Sequence, residues 1–102
     1  MKRLFFALLV SFVSIHASQA QIEADSVKLN QLIKEGDTLI AKNQHAEAEA
    51  KYDSAVMISE RLKDWEKYFQ CTGYLIETIW RQYRLKDAAI LADSALNHVN
   101  TY

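Results

Sequence analysis

The chain has 102 residues, half of them apolar and a quarter charged, with a net charge of −1. This even balance disfavours a nucleic-acid-binding protein, which would carry a basic patch or stripe. Proline is absent and glycine occurs only at Gly36 and Gly73. So few turn-forming residues disfavour an all-β fold and predict long helices. The expected fold class is therefore all-α.

The first 20 residues have the pattern of a secretory signal peptide. Lys2 and Arg3 precede an apolar run over residues 4–15, and residues 18–20 have the small-x-small pattern of a cleavage site. The run is shorter than the roughly 20 residues that a membrane-spanning helix needs. We therefore expect cleavage after Ala20 and export of a mature chain that begins at Gln21, to the periplasm or out of the cell. The alternative is an uncleaved segment that anchors the protein to a membrane.

Two helices are predicted after this segment. Asp25 or Ser26 can cap the start of the first, because either side chain can accept a hydrogen bond from a free backbone N–H. Apolar residues at helical spacing continue to Ile40, and residues 42–45 are predicted to form a polar turn. The second helix is predicted over residues 46–62.

Two further helices complete the predicted fold. Asp64 can cap the third, and after a tight turn at residues 84–86 the fourth is expected to begin at Asp87. The apolar face of the third helix is largely aromatic, which favours a core between neighbouring helices over a ligand pocket. The predicted face of the third helix comprises Trp65, Tyr68, Phe69, Thr72, Ile76, Ile79, Trp80 and Tyr83, and that of the fourth comprises Ala88, Leu91, Ala92, Ala95, Leu96 and Val99.

A short internal repeat relates the second and fourth helices. The tripeptide Asp-Ser-Ala at residues 53–55 recurs at residues 93–95, and at the same interval of 40 residues Ala48 matches Ala88. Small residues at helical spacing let a second helix approach closely. We therefore expect Ala55 and Ala95 to lie where neighbouring helices touch. A fixed period favours a helical repeat array over a four-helix bundle with coincidental alanines.

These residues resemble the tetratricopeptide repeat (TPR), a helix pair with small and large residues at fixed positions. With Ala48 and Ala55 at the family's alanine positions, Tyr52 takes the aromatic position and Gly36 the small position in the first helix, between Leu32 and Leu39. The second unit matches through Ala88, Ala92 and Ala95, with Ala92 in place of the aromatic residue. The resemblance implies two tandem TPR-like units, at about residues 29–62 and 63–102. The interval of 40 exceeds the usual unit of about 34 residues, and it resembles long-helix variants with extra turns near residues 61–67.

The resemblance also implies a function. In that family the first helix of each unit lines a concave groove that grips peptides. The groove positions would carry Asn30, Ile33, Lys34, Asp37 and Ile40 in the first unit and Gln70, Gly73, Glu77, Trp80 and Arg81 in the second. The expected function is an exported protein–protein interaction scaffold that binds a peptide or partner protein, without a cofactor. The alternatives are a purely structural adaptor, or the amino-terminal regulatory part of a larger enzyme that resembles a caspase-like CHAT protease or a sensor histidine kinase.

Few residues suggest other chemistry. Cys71 is the single cysteine, so an internal disulfide is excluded, and we expect a buried thiol in preference to a reactive one. His45 and Glu49 have a spacing that can hold a metal, but no third ligand lies near them in sequence, so a solvated helix start is the favoured interpretation. No catalytic motif or glycine-rich phosphate loop is present.

The carboxy-terminal helix is expected to leave part of its apolar surface open. Outer residues such as Ile90 are followed by no amphipathic capping helix, whereas a last repeat usually carries a polar cap. We therefore expect the chain to be the amino-terminal part of a longer protein, and residues 21–102 alone to be marginally stable. Self-association through this end is a further expectation.

Overall fold

The computed structural model describes the backbone of residues 2–101 and the side chains of residues 18–100. Over that range it contains four α-helices and no strand: α1 (Lys2–Ala41), α2 (His45–Arg61), α3 (Trp65–Arg81) and α4 (Leu85–Thr101). Three-residue turns reverse the chain between helices, and α2 packs against both α1 and α3, while α3 packs against α4. The expected all-α fold of tandem antiparallel helix pairs is confirmed.

The predicted signal peptide lies almost wholly outside the residues whose side chains are described, so cleavage after Ala20 stays a prediction. Among the described residues, no helix combines the length and the apolar character needed to cross a membrane.

The repeat has a simpler basis than expected, because α2, α3 and α4 are each 17 residues long and begin 20 residues apart. The interval of 40 therefore comes from two 17-residue helices and two three-residue turns, and between residues 61 and 67 the helices are interrupted only at residues 62–64. The fourth helix begins at Leu85, two residues before the predicted Asp87, because the last turn occupies residues 82–84. The predicted cap of α3 is confirmed, since the Asp64 carboxylate accepts a hydrogen bond from the backbone N–H of Lys67 at 3.2 Å.

The three turns share one backbone conformation. Asn43, Lys63 and Tyr83 have φ angles of 58°, 55° and 63°. In each turn the N–H of that residue donates to the carbonyl three residues earlier, and the next N–H donates to the carbonyl five residues earlier, at 2.9–3.4 Å. This is the Schellman arrangement, in which a left-handed residue satisfies the free carbonyls at a helix end. Glycine usually occupies the left-handed position, and its absence here explains why sequence reasoning placed the last turn imprecisely.

Replacing Lys63 by glycine is expected to stabilise the fold. A residue with a Cβ pays a steric cost in the left-handed region that glycine does not, so the gain should be about 0.5–1 kcal/mol after allowing for the greater flexibility of unfolded glycine. Chemical denaturation of Lys63→Gly, with Lys63→Ala as the control, measures the difference. An equal gain for both variants would point to loss of the lysine charge instead.

The start of the first predicted helix is wrong, because α1 passes through Asp25 and Ser26 without a break. The Asp25 side chain instead forms an ion pair with Arg61. Its carboxylate accepts hydrogen bonds from Nε and Nη2 of Arg61, at 3.1 and 3.0 Å, and from Nε2 of Gln21 at 3.1 Å. Asp25 is only 7% exposed. It therefore joins α1 to the end of α2 and does not cap a helix.

The ion pair between Asp25 and Arg61 predicts a loss of stability in acid. The hydrogen bond from Arg61 lowers the pKa of Asp25 in the folded state. The stabilisation of the folded state by this ion pair is therefore fully present above the ordinary aspartate pKa of about 3.9. It is lost as the pH falls through the lowered pKa of Asp25 in the folded state. Asp25→Asn should lower the melting temperature at neutral pH and flatten its fall in acid. Melting curves between neutral and acidic pH test this, with the exposed Asp53→Asn as control, and parallel acid curves for wild type and Asp25→Asn would contradict it.

The core consists of two adjoining apolar clusters. The first contains Leu29, Leu32, Ala55, Ile58 and Cys71, and the second contains Ala48, Tyr52, Leu75, Ile79 and Ala88. Each cluster includes residues from at least three helices. The repeat alanines therefore pack as predicted at Ala48, Ala55 and Ala88.

The aromatic face of α3 is only partly buried. Tyr68, Thr72 and Ile79 are buried, whereas Trp80 is 58% and Tyr83 92% exposed. Cys71, Leu75 and Thr78, which the prediction left out, complete the buried side of the helix. The buried hydroxyls of Thr72 and Thr78 each donate to the carbonyl four residues earlier at 2.7 Å, which lets polar side chains enter the core.

Ala55 and Ala95 occupy equivalent positions in the repeat but differ in environment. Ala55 is fully buried, while Ala95 is only partly buried. Ala55→Leu should overpack the core and cost about 1–3 kcal/mol, and Ala95→Leu should cost less because the leucine can extend toward solvent. Urea denaturation of both variants tests the difference. Equal costs would mean that α4 is covered as fully as α2.

Candidate peptide-binding groove

A cleft of about 270 Å³ lies between α1 and α3. Because α2 packs against both helices, it holds them side by side and contributes one residue to the cleft. The residues that line it are Asp37 and Ile40 of α1, Tyr52 of α2, and Tyr74, Glu77, Thr78 and Arg81 of α3. We refer to this feature as the α1–α3 cleft.

Tyr52 connects the cleft to the core. It is 2% exposed, and its hydroxyl donates a hydrogen bond of 2.6 Å to Oδ1 of Asp37. The ring lies against Gly36 and 5.4 Å from the ring of Tyr74, measured between centroids. Burial, followed by the hydrogen bond to Asp37, raises the pKa of Tyr52 above its ordinary value. The phenol therefore stays protonated at neutral pH and fixes the Asp37 carboxylate at the cleft.

Exposed polar groups of α3 surround the opening of the cleft. Nη2 of Arg81 lies 2.8 Å from Oε1 of Glu77, with both side chains about half exposed. One turn earlier, Nε2 of Gln70 donates to the Tyr74 hydroxyl at 3.0 Å. The cleft thus combines tyrosine rings with two carboxylates, a guanidinium and an amide, all of which can bond to a ligand backbone or side chain.

The structure brings together only some of the predicted groove residues. Asp37, Ile40, Glu77 and Arg81 line the cleft, and Gln70 contacts it through Tyr74. Asn30 and Lys34 are exposed farther back on α1, Gly73 is exposed on α3, and Ile33 packs against the core. Trp80 lines a separate surface with His45, Arg81, Tyr83 and Leu85.

Sequence reasoning missed Tyr74 and Thr78, and it gave Tyr52 only the aromatic position of the TPR pattern. A signal for Tyr74 was present, because it lies four residues after Gln70 and three before Glu77, on the same helical face. The position of Tyr52 in the cleft could not be predicted in this way, because Tyr52 belongs to α2. Its ring reaches the cleft beside Gly36, where the absence of a Cβ atom leaves room for it.

Cys71 is fully buried in the first core cluster. Burial raises the pKa of its thiol to about 11, which keeps the reactive thiolate scarce at neutral pH. The expectation of a buried thiol is confirmed.

Of the two residues whose spacing could hold a metal, His45 and Glu49, the second bonds to other side chains. The Glu49 carboxylate accepts hydrogen bonds from Nη1 of Arg84, at 2.6 and 3.0 Å, and from Nε2 of Gln82 at 2.8 Å. These contacts fix the turn between α3 and α4 against α2. In the described part of the chain, no group of three or more His, Cys, Asp or Glu residues is placed to hold a metal ion.

Comparisons with protein-family models, with curated proteins and with solved structures gave no match for this chain.

Proposed function

We propose that this protein is an exported, TPR-like interaction scaffold that binds a peptide or partner protein in the α1–α3 cleft. The observation that carries the proposal is the convergence of Asp37, Tyr52, Tyr74, Glu77 and Arg81 on one cleft from three helices. The resemblance of Gly36, Ala48, Tyr52 and Ala55 to the TPR pattern supports the same surface.

The volume of the cleft is close to the lower end of the range for ligand sites. Sites for drug-sized ligands usually enclose about 300–1,000 Å³, and this cleft has about 270 Å³. That space suits a single side chain of a longer ligand. The exposed polar groups of α3 would then bond to the ligand backbone on either side, as in other modes of peptide recognition.

Binding to an array of peptides of varied sequence tests the proposal. Glu77→Lys and Arg81→Glu reverse the charges at the opening of the cleft, and each should weaken the bound peptides by about tenfold, the equivalent of 1.4 kcal/mol. Glu60→Lys, an exposed charge reversal on α2, is the matched control and should leave binding unchanged. Selection of the same peptides with the same affinity by all three variants would show that the cleft is not the binding site.

Export is a separate part of the proposal. The charged, apolar and small residues of positions 2–20 support cleavage after Ala20. Mass spectrometry of the protein recovered outside the cytoplasm should therefore find Gln21 at the amino terminus, and a retained Met1 would contradict cleavage.

A further inference from the structure

One face of α4 carries an uncovered apolar stripe. Its spacing alternates between four and three residues, as in the contact seam of two packed helices. All five members are exposed, and each of the three larger ones has more than half of its surface accessible. The members are Leu85, Ala89, Ala92, Leu96 and Val99, which we call the α4 stripe.

The equivalent face of α2 is covered by α3. Positions 45, 49, 52, 56 and 59 correspond to the α4 stripe at the interval of 40 residues, and none of them is exposed. Tyr52 contacts Tyr74, Val56 packs with the cluster that contains Leu75, and Glu49 bonds to Gln82 and Arg84. In α2 this face therefore packs against another helix. In α4 the same face, the α4 stripe, has no helix packed against it in the described residues.

We propose that the α4 stripe binds a second copy of this chain, with the two α4 helices antiparallel. Pairing about a two-fold axis near Ile90 and Leu91 places Leu85 against Leu96 of the second copy and Ala89 against Ala92. The alanines at the centre let the helices approach, and the leucines close both ends. Val99 then lies beside Tyr83 of the second copy and covers this residue, which is 92% exposed in the single chain. The stripe is thus complementary to itself, as a two-fold interface requires.

The charges beside the stripe favour the same register. Lys86 and Asp93 are exposed and each follows a stripe residue on the same side, Lys86 after Leu85 and Asp93 after Ala92. In the antiparallel pair Lys86 of one copy faces Asp93 of the other, and symmetry repeats the pair. A contact between two single helices is small beside the roughly 1,200–2,000 Å² that stable interfaces bury, so the dimer should be weak and concentration-dependent.

Sedimentation of the full chain across the micromolar range tests the proposal. The wild type should pass from monomer to dimer as its concentration rises. Leu96→Glu should weaken association by about tenfold or more, because it buries a charge in the contact. Met57→Glu is the matched control, since Met57 is similarly exposed, 65% against 60% for Leu96, but lies on α2 away from the stripe. Circular dichroism checks that both variants stay folded.

A charge exchange tests the register. In a dimer of Lys86→Glu, each of the two pairs between positions 86 and 93 consists of two carboxylates. In a dimer of Asp93→Lys, each pair consists of two amines. Each variant should therefore associate several-fold more weakly than the wild type. An equimolar mixture of the two restores both opposite-charge pairs between unlike chains and should recover the wild-type affinity. The proposal would be overturned by a wild type that is monomeric throughout, by a dimer that Leu96→Glu leaves unchanged, or by a mixture no stronger than its parts.

Discussion

Tyr52→Ala is expected to lower the free energy of unfolding by about 3–5 kcal/mol, the usual cost of deleting a large buried aromatic side chain. Tyr52 is 2% exposed, belongs to the second core cluster and lies against Gly36 and the ring of Tyr74. Alanine would leave a cavity between α1, α2 and α3 at the centre of the repeat. A loss of this size is a large part of the total stability of a small domain, so the variant should unfold at much lower urea concentration.

Tyr52→Phe separates the hydroxyl from the ring. It removes only the 2.6 Å hydrogen bond to Asp37, and it should cost about 1 kcal/mol because Asp37 is exposed and can bond to water instead. Urea denaturation of the two variants gives both values. A cost for Tyr52→Phe as large as that for Tyr52→Ala would assign the stabilisation to the hydrogen bond and not to packing.

Gly36→Leu is expected to cost about 1–3 kcal/mol through overpacking. A Cβ atom at Gly36 would lie 2.6 Å from Cε1 and 2.8 Å from Cζ of Tyr52. The ring has little freedom to move away, because it is buried and its hydroxyl is bonded to Asp37. The substitution therefore forces α1 away from α2, which should also disturb the α1–α3 cleft.

Gly73 provides the matched control for this prediction. It also lies inside a helix, but a Cβ atom there would meet nothing within 4 Å. Gly73→Leu should therefore be neutral or stabilising by up to about 1 kcal/mol, because leucine has the higher helix propensity. Thermal melting should show a lower melting temperature for Gly36→Leu and an unchanged or higher one for Gly73→Leu. Equal shifts would show that Gly36 is not in close contact with Tyr52.

The sequence predicted the helices well because their signals are local. Apolar spacing, the Asp64 cap and the 40-residue interval identified four helices and the packing positions of Ala48 and Ala55. The start of α4 was misplaced because the left-handed residue in its turn is Tyr83, where glycine would have marked the helix end.

The composition of the cleft was only partly predictable. The resemblance to the TPR pattern implied groove positions at Asp37, Glu77 and Arg81, which line the cleft, whereas Tyr52 joined the cleft through a third helix. Likewise, Asp25 had the sequence signal of a cap, but its role as the partner of Arg61 depends on a residue 36 positions away. Contacts of this kind depend on how helices are stacked, and no local pattern records them.

The sequence by itself determined that this protein is a set of helices with a 40-residue repeat and closely packed alanines. Only the tertiary structure decided which equivalent faces are covered. Tyr52 and Ala92 occupy the same place in the repeat, and so do Val56 and Leu96, yet α1 and α3 cover the first member of each pair, whereas the second is exposed. The physical reason is that helical periodicity defines a face, whereas burial depends on whether another helix lies against that face.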